Sequence, residues 1–198
     1  MEGQAQDTAA QSTAPTGSQL RFSGVALQRG GRLLFEGLNL ELRSGDGLQV
    51  AGPNGSGKSS LLRLAAGLLR ADAGEIERGQ VALADDSLAL DRDLPLARAL
   101  AFWGGPVKAA MDAIGIAHLA LVPVRLLSSG QQKRATLARV AASEAPLWLL
   151  DEPLNALDAE GAERLSELIS RHRQSGGAVV AASHQPLPGD WRVLELGR

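Results

Sequence analysis

Two short stretches of this sequence place phosphate-handling and water-activating side chains at the ends of apolar runs. The first is GPNGSGKS, Gly52 to Ser59. It matches G-x-x-x-x-G-K-[ST] in full, with the apolar run LQVA before it and a helical pattern after it through Leu61, Leu64, Leu68 and Leu69. Nucleotide phosphates need many donors converging in a small volume. A loop in which Gly52, Gly55 and Gly57 are spaced by Pro53, Asn54 and Ser56 lets successive backbone N–H groups turn inward unobstructed. The following helix adds the orphan donors of its N-terminus and the positive end of its dipole. Lys58 would neutralise the β- and γ-phosphates, the Ser59 hydroxyl would ligate Mg2+, and Ser60 would support the helix start. A tight turn with a surface lysine is the plain alternative, but Lys58 is the only lysine among the first 107 residues.

The second stretch is LWLLDEP. Leu147 to Leu150 read as a buried strand that delivers Asp151 to its C-terminal end, where open α/β sheets place their ligands. Asp151 would hold Mg2+ through water, and Glu152, pointing differently, would polarise an attacking water. Alone this is an acidic strand end before a proline turn; paired with the phosphate loop it is far more specific. A further apolar run, VVAAS, carries His184 to the corresponding position. There it could donate a hydrogen bond to a γ-phosphate and orient Glu152 or the water. His118 and His172 lie in helical stretches and read as ordinary structural or surface residues.

Positioning these groups requires strands that end together. RFSGVALQ and LLFEGLNLEL read as two strands joined by a hairpin at Arg29, Gly30 and Gly31, and a turn at SGDG follows. RADAGEIERGQVALADD reads as turns and short strands, and Ser87 to Leu126 as mainly helical and irregular, with PLARALAFW and VKAAMDAIGIAHLA its best helical pieces. Order returns with the strand at 147–151, a helix at 158–173 and strands at 177–183 and 192–196. The predicted fold class is α/β. Residues 1–19, small and polar, read as a disordered tail that resembles no signal peptide, and the domain is expected over residues 20–198. No segment is apolar enough to cross a membrane.

A chain of 198 residues suits one domain with a real core. With 44% hydrophobic residues, 21% charged residues and a net charge of -2, the composition has no bias toward nucleic acid. The absence of cysteine excludes disulfides, thiolate metal sites and cysteine nucleophiles. Three phenylalanines, three tryptophans and no tyrosine leave few rings to stack on a base.

The stretch LLSSGQQKRATLARV, Leu126 to Val140, reads by itself as a serine-capped, basic, solvated helix with Gln132, Lys133 and Arg134 along its polar side. Its first turn, Ser128, Ser129, Gly130 and Gln131, is stripped of bulk. In order, GPNGSGKS, LSSGQ at Leu127 to Gln131, LLDEP, NALD at Asn155 to Asp158 and His184 resemble the motifs of the ATP-binding-cassette (ABC) ATPases. The resemblance spans nearly the whole chain beyond the tail. It implies a P-loop nucleoside triphosphate hydrolase core, an antiparallel β-subdomain at the start and a helical subdomain over about 87–140. It also implies ATP and Mg2+ as ligands, and two copies closing head to tail on two nucleotides. Ser128, Ser129, Gly130 and Gln131 would then reach the γ-phosphate held by the opposite copy, with Asp158 communicating between the two sites.

Within that superfamily, LLFEGLNLEL, ALAFW, SSGQQKRATLARV and GGAVVAASHQPL are most similar to ATPase subunits of cytochrome c maturation, or haem exporter, complexes. That implies a peripheral subunit at the cytoplasmic face of the inner membrane, a polytopic membrane partner, and haem-related transport or delivery in c-type cytochrome biogenesis. The alternatives are the ATPase of another small-substrate ABC transporter, a soluble regulatory ABC ATPase, or an ATP-dependent interaction module. The module would need a damaged phosphate loop or a missing carboxylate, and neither occurs.

Three positions depart from the family pattern. Arg29 stands where an aromatic residue commonly stacks on adenine, which predicts weak base selectivity. Asp86 or Ser87 replaces a glutamine near the metal, and Asp86 could join the metal shell. Ser129 replaces a glycine in the signature, with consequences for closure that the residue type alone leaves open. Phe102 and Trp103 belong either to a groove for a helix of the membrane partner or to a small internal core.

Overall fold

Alternating runs can bury one face only, and the opening strands pair accordingly. The computed structural model describes residues 18–197. Strands β1 (Ser18–Arg29) and β2 (Arg32–Arg43) form an antiparallel hairpin that turns at Gly30 and Gly31, both at positive φ. β1 also pairs antiparallel with β4 (Ala73–Arg78), giving a three-stranded sheet in the order β2-β1-β4. The tail expected over residues 1–19 lies outside the described residues, except that Ser18 and Gln19 belong to β1.

Continuous apolar runs instead become strands buried on both faces. β3 (Gly47–Ala51), β6 (Leu147–Asp151) and β7 (Ala178–Ala182) form the centre of a parallel sheet in the order β5-β6-β7-β3-β8. Its edges are β5 (Val81–Ala84) and β8 (Arg192–Glu195). The two-residue period of β6 divides the interior. Leu147 and Leu149 join a core with Leu48, Val50, α1 (Lys58–Ala65) and the antiparallel sheet. Trp148 and Leu150 join a second core beneath the helices. The segment RADAGEIERGQVALADD is thus split: β4 serves one sheet and β5 the other.

The second core is covered by α2 (Leu96–Ala101), α3 (Val107–Ala113), α4 (Ser129–Ala142) and α5 (Ala159–Gln174), with single 3-10 turns at Ala117–Leu119 and Val124–Leu126. α4 is not the solvated helix that its stretch suggests when read by itself. It runs from the surface into the core against α2, α3 and β5, so Ala135 to Val140 are all buried. Among the described residues no helix is long and apolar enough to cross a membrane. His172 is structural, as expected: its ring stacks on Trp148 with centroids 3.8 Å apart, and burial pushes its pKa down.

Candidate active site

The phosphate loop leaves β3 at Ala51 and re-enters helix at Lys58, with Gly57 as N-cap residue at φ 106. Gly52 cannot carry a side chain, because a Cβ there would meet the Leu196 carbonyl oxygen at 2.4 Å and Ser56 Oγ at 2.8 Å. Lys58 is 6% exposed, and its Nζ donates to the carbonyls of Gly52 (2.8 Å) and Pro53 (3.2 Å). The ammonium is therefore held under the loop by acceptors that phosphate oxygens can replace. Asn54, Gly55, Gly57, Lys58, Ser59 and Ser60 line a cleft of about 460 Å³ together with Arg29, Arg32, Leu34 and Glu152. Ser56 is instead buried, with an unpartnered Oγ.

The acidic edge forms where β6 and β7 end side by side. Asp151 pairs with Ala182, and the next N–H, that of Glu152, donates to the Ala182 carbonyl at 2.9 Å. That bond holds Glu152 at φ 44, a left-handed conformation costing roughly 1–3 kcal/mol for a side chain of this kind. Oε2 of Glu152 lies 2.9 Å from His184 Nδ1, so the two residues assigned to the attacking water are in direct contact. Asp151 is 6% exposed and its Oδ1 has no partner. Burial pushes its pKa up and Asp86 and Glu152 add to that, while the nearby Ser59 hydroxyl and the Lys133 ammonium pull it down. An orphaned carboxylate oxygen beside a serine hydroxyl is a hard-oxygen donor set, and it fits Mg2+. Asp86, two residues past the end of β5, lies at this edge too.

Lys133 was expected on a polar helix face. It turns inward instead: Nζ donates to the Asp151 carbonyl at 2.9 Å. Burial pushes its pKa down against the pull of Asp86, Asp151, Glu152 and Asp85. Gln132 and Arg134 are likewise engaged, Gln132 with the Leu127 carbonyl and Arg134 with the Ile114 carbonyl and the Asp158 carboxylate.

The signature residues sit elsewhere. Ser128 and Gln131 form a reciprocal capping box, Ser128 Oγ accepting from the Gln131 N–H and Gln131 Oε1 from the Ser128 N–H. Ser128, Gly130, Gln131 and Asp158 line a separate groove of about 330 Å³ with Arg134, Ile116 and His118. Ser129 is exposed at the helix start. Gly130 is small for a reason inside its own chain, since a Cβ there would meet the Ala156 carbonyl oxygen at 2.8 Å. Asp158 caps α5 by accepting from the Gly161 N–H at 2.9 Å; that bond first, and then Arg134, hold its pKa below the ordinary value. The phosphate-loop residues with Glu152 and the signature residues with Asp158 therefore line two clefts with no lining residue in common.

A family model for the ABC transporter matches residues 35–155, a span that includes the phosphate loop, the signature and Asp151–Glu152. The chain belongs to the ABC transporter family. It is an ABC-type ATPase subunit. It is 54% identical over 173 residues to the cytochrome c biogenesis ATP-binding export protein CcmA of Sphingopyxis alaskensis, covering 83% of this chain and 89% of that one. The protein of the same name from Novosphingobium aromaticivorans is 56% identical over 166 residues, covering 82% of this chain and 87% of that one. A bacterial Atm1-family ABC exporter solved with ATP bound superposes with a TM-score of 0.84 at 21% identity, over 98% of this chain and 39% of that one, and shares the fold.

In this ABC subunit none of the described residues lining the nucleotide cleft is aromatic. Arg29 and Arg32 face each other across the hairpin beside Leu34. Arg32 and Leu34 escaped the sequence reading, although RGGR placed both arginines next to the turn. A further groove of about 370 Å³ opens between β5 and α4, lined by Leu68, Leu83, Ser87, Trp103 and Arg139. Phe102 is 82% exposed, which rules out the internal-core reading for it. Trp103 is 41% exposed, its indole N–H donating to the Ala89 carbonyl and its ring lying 4.8 Å from the Arg139 guanidinium carbon.

Proposed function

We propose that the chain drives haem-related transport or delivery in c-type cytochrome biogenesis, as a head-to-tail pair at the cytoplasmic face of the inner membrane against a polytopic membrane subunit. The cytochrome c assignment is supported by the names of the relatives at 54% and 56% identity. The hydrolytic mechanism rests on one observation above all, the contact of Glu152 with His184 at the edge of the phosphate-loop cleft.

On nucleotide arrival Lys58 exchanges the Gly52 and Pro53 carbonyls for β- and γ-phosphate oxygens, and the loop N–H groups donate to the remaining phosphate oxygens. Ser59 and Asp151, with Asp86 as a further candidate, would hold Mg2+, which would supply further neutralisation of those phosphates. Glu152 takes the proton of the attacking water, and His184 fixes the direction of its carboxylate. An ionised carboxylate only accepts, so Nδ1–H of His184 donates to it. For His184 also to donate to a γ-phosphate, Nε2 must carry a proton as well, and the ring then acts as imidazolium. The signature groove of each copy would close on the nucleotide of the other. The groove beside Trp103, with exposed Phe102 near it, would receive a helix of the membrane subunit.

The test is genetic and biochemical together. Deleting the chain in its own organism should abolish mature c-type cytochromes, and the wild-type chain but not Glu152→Gln should restore them. Pull-down from detergent extract should bring a polytopic membrane protein with it. Normal cytochromes with a retained membrane partner would point to another small-substrate transporter, and hydrolysis with no membrane partner to a soluble regulatory ATPase.

A further inference from the structure

β5 ends at Ala84 opposite Leu150 of β6, so Asp85 and Asp86 follow it at the same end of the parallel sheet as Asp151 and Glu152. There Lys133 Nζ reaches the Asp151 carbonyl, and all four carboxylates act on its charge. Like charges this close raise one another's cost of ionisation. Lys58 is turned toward the phosphate loop, where the carbonyls of Gly52 and Pro53 hold it. Lys133 is placed differently. It rises from the second turn of α4, is partly buried, and reaches the main chain of β6 at Asp151. A lysine that donates to a backbone carbonyl retains its full charge for the carboxylates around it.

We propose that Lys133 is a positioning residue of the acidic edge: it pins the end of β6 through the Asp151 carbonyl and supplies the fixed positive charge against which Asp86, Asp151 and Glu152 are held. Two consequences follow from charge alone. With Lys133 removed, the edge becomes more negative, so an anionic nucleotide binds less well without metal. The same potential attracts a divalent cation more strongly, so the gain in nucleotide affinity on adding Mg2+ becomes larger. A strut with no electrostatic role would weaken binding equally in both conditions.

The inference builds on the assignment of Ser59 and Asp151 to Mg2+. The experiment is equilibrium binding of a non-hydrolysable ATP analogue to the full chain, with and without Mg2+, for wild type, Lys133→Arg, Lys133→Gln, Asp86→Asn and the Lys133→Gln/Asp86→Asn pair. Lys133→Gln should weaken metal-free binding about three- to tenfold, the scale of one partly screened charge, and enlarge the Mg2+ gain by a similar factor. Lys133→Arg should stay close to wild type, and adding Asp86→Asn to Lys133→Gln should restore metal-free binding. Asp86→Asn alone, which leaves the β6 contact intact, should tighten metal-free binding, and it carries the test if Lys133→Gln does not fold. Equal losses with and without Mg2+, or no rescue by Asp86→Asn, would overturn the proposal. If Mg2+ changes nothing in wild type, the metal assignment fails while the metal-free comparison still decides the role of Lys133.

Discussion

The phosphate-loop cleft and the signature groove are both lined by family motifs, yet they are built on opposite plans. The cleft draws its donors from one contiguous loop after β3 and its carboxylate from the end of β6, with β7 between the two strands, so it holds a base wall, a cation and a candidate base within one chain. The groove holds a capped helix start, a glycine pressed against a carbonyl and an acid already paired with Arg134. Ser128, Gln131 and Asp158 are hydrogen-bonded within the chain itself. The difference teaches that the first cleft is suited to binding nucleotide by itself, whereas the second is a preformed surface whose use depends on something brought to it.

The comparison breaks most readily at Glu152. Glu152→Gln should lower turnover about 10²- to 10⁴-fold, the range for a positioned general base, while ATP binding measured by titration is retained. Undiminished hydrolysis would remove the cleft's catalytic group. The matching test on the groove is Gly130→Ala. A Cβ 2.8 Å from the Ala156 oxygen must displace the helix start or the following loop, at about 1–3 kcal/mol as for other overpacked sites. Sedimentation with ATP should then show lost self-association, with single-chain nucleotide binding intact; equal loss of both would erase the division into two clefts.

How much of each region was legible follows from the same contrast. GPNGSGKS could be read in full because its chemistry is local: neighbouring residues in the chain are neighbours around the phosphate. Asp151, Glu152 and His184 needed only the rule that parallel strands end together. Lys133 could not be read, because its partner is a backbone carbonyl 18 residues away in sequence. Gly130 is expected at the phosphate held by the other copy, and what the sequence alone does not reveal is that its lack of a side chain also clears the Ala156 carbonyl of its own chain.

Two smaller effects sharpen the contrast. The Gly161 N–H and then Arg134 hold the Asp158 carboxyl below its ordinary value of 3.8. Its stabilisation is therefore complete above that value and is lost as pH falls through the lowered one. Thermal melts of Asp158→Ala should run below wild type at neutral pH, and the gap should narrow only below about pH 4. Arg29→Ala should have the least effect, weakening ATP and GTP binding alike by about fivefold or less, since an exposed guanidinium on a base is worth about 1 kcal/mol. A strong ATP preference lost in that variant would mean that Arg29 reads the base.

The sequence by itself determined the family, the phosphate loop, the strand that carries Asp151 and the order of the motifs, because each is set by short-range spacing and by hydrophobic period. Only the tertiary structure decided that β4 and β5 part to different sheets and that α4 dives into the core. It alone turned Lys133 toward the acidic edge and left Phe102 exposed. These outcomes depend on which surfaces meet across long stretches of chain, and that is settled by packing and charge in three dimensions rather than by any local pattern.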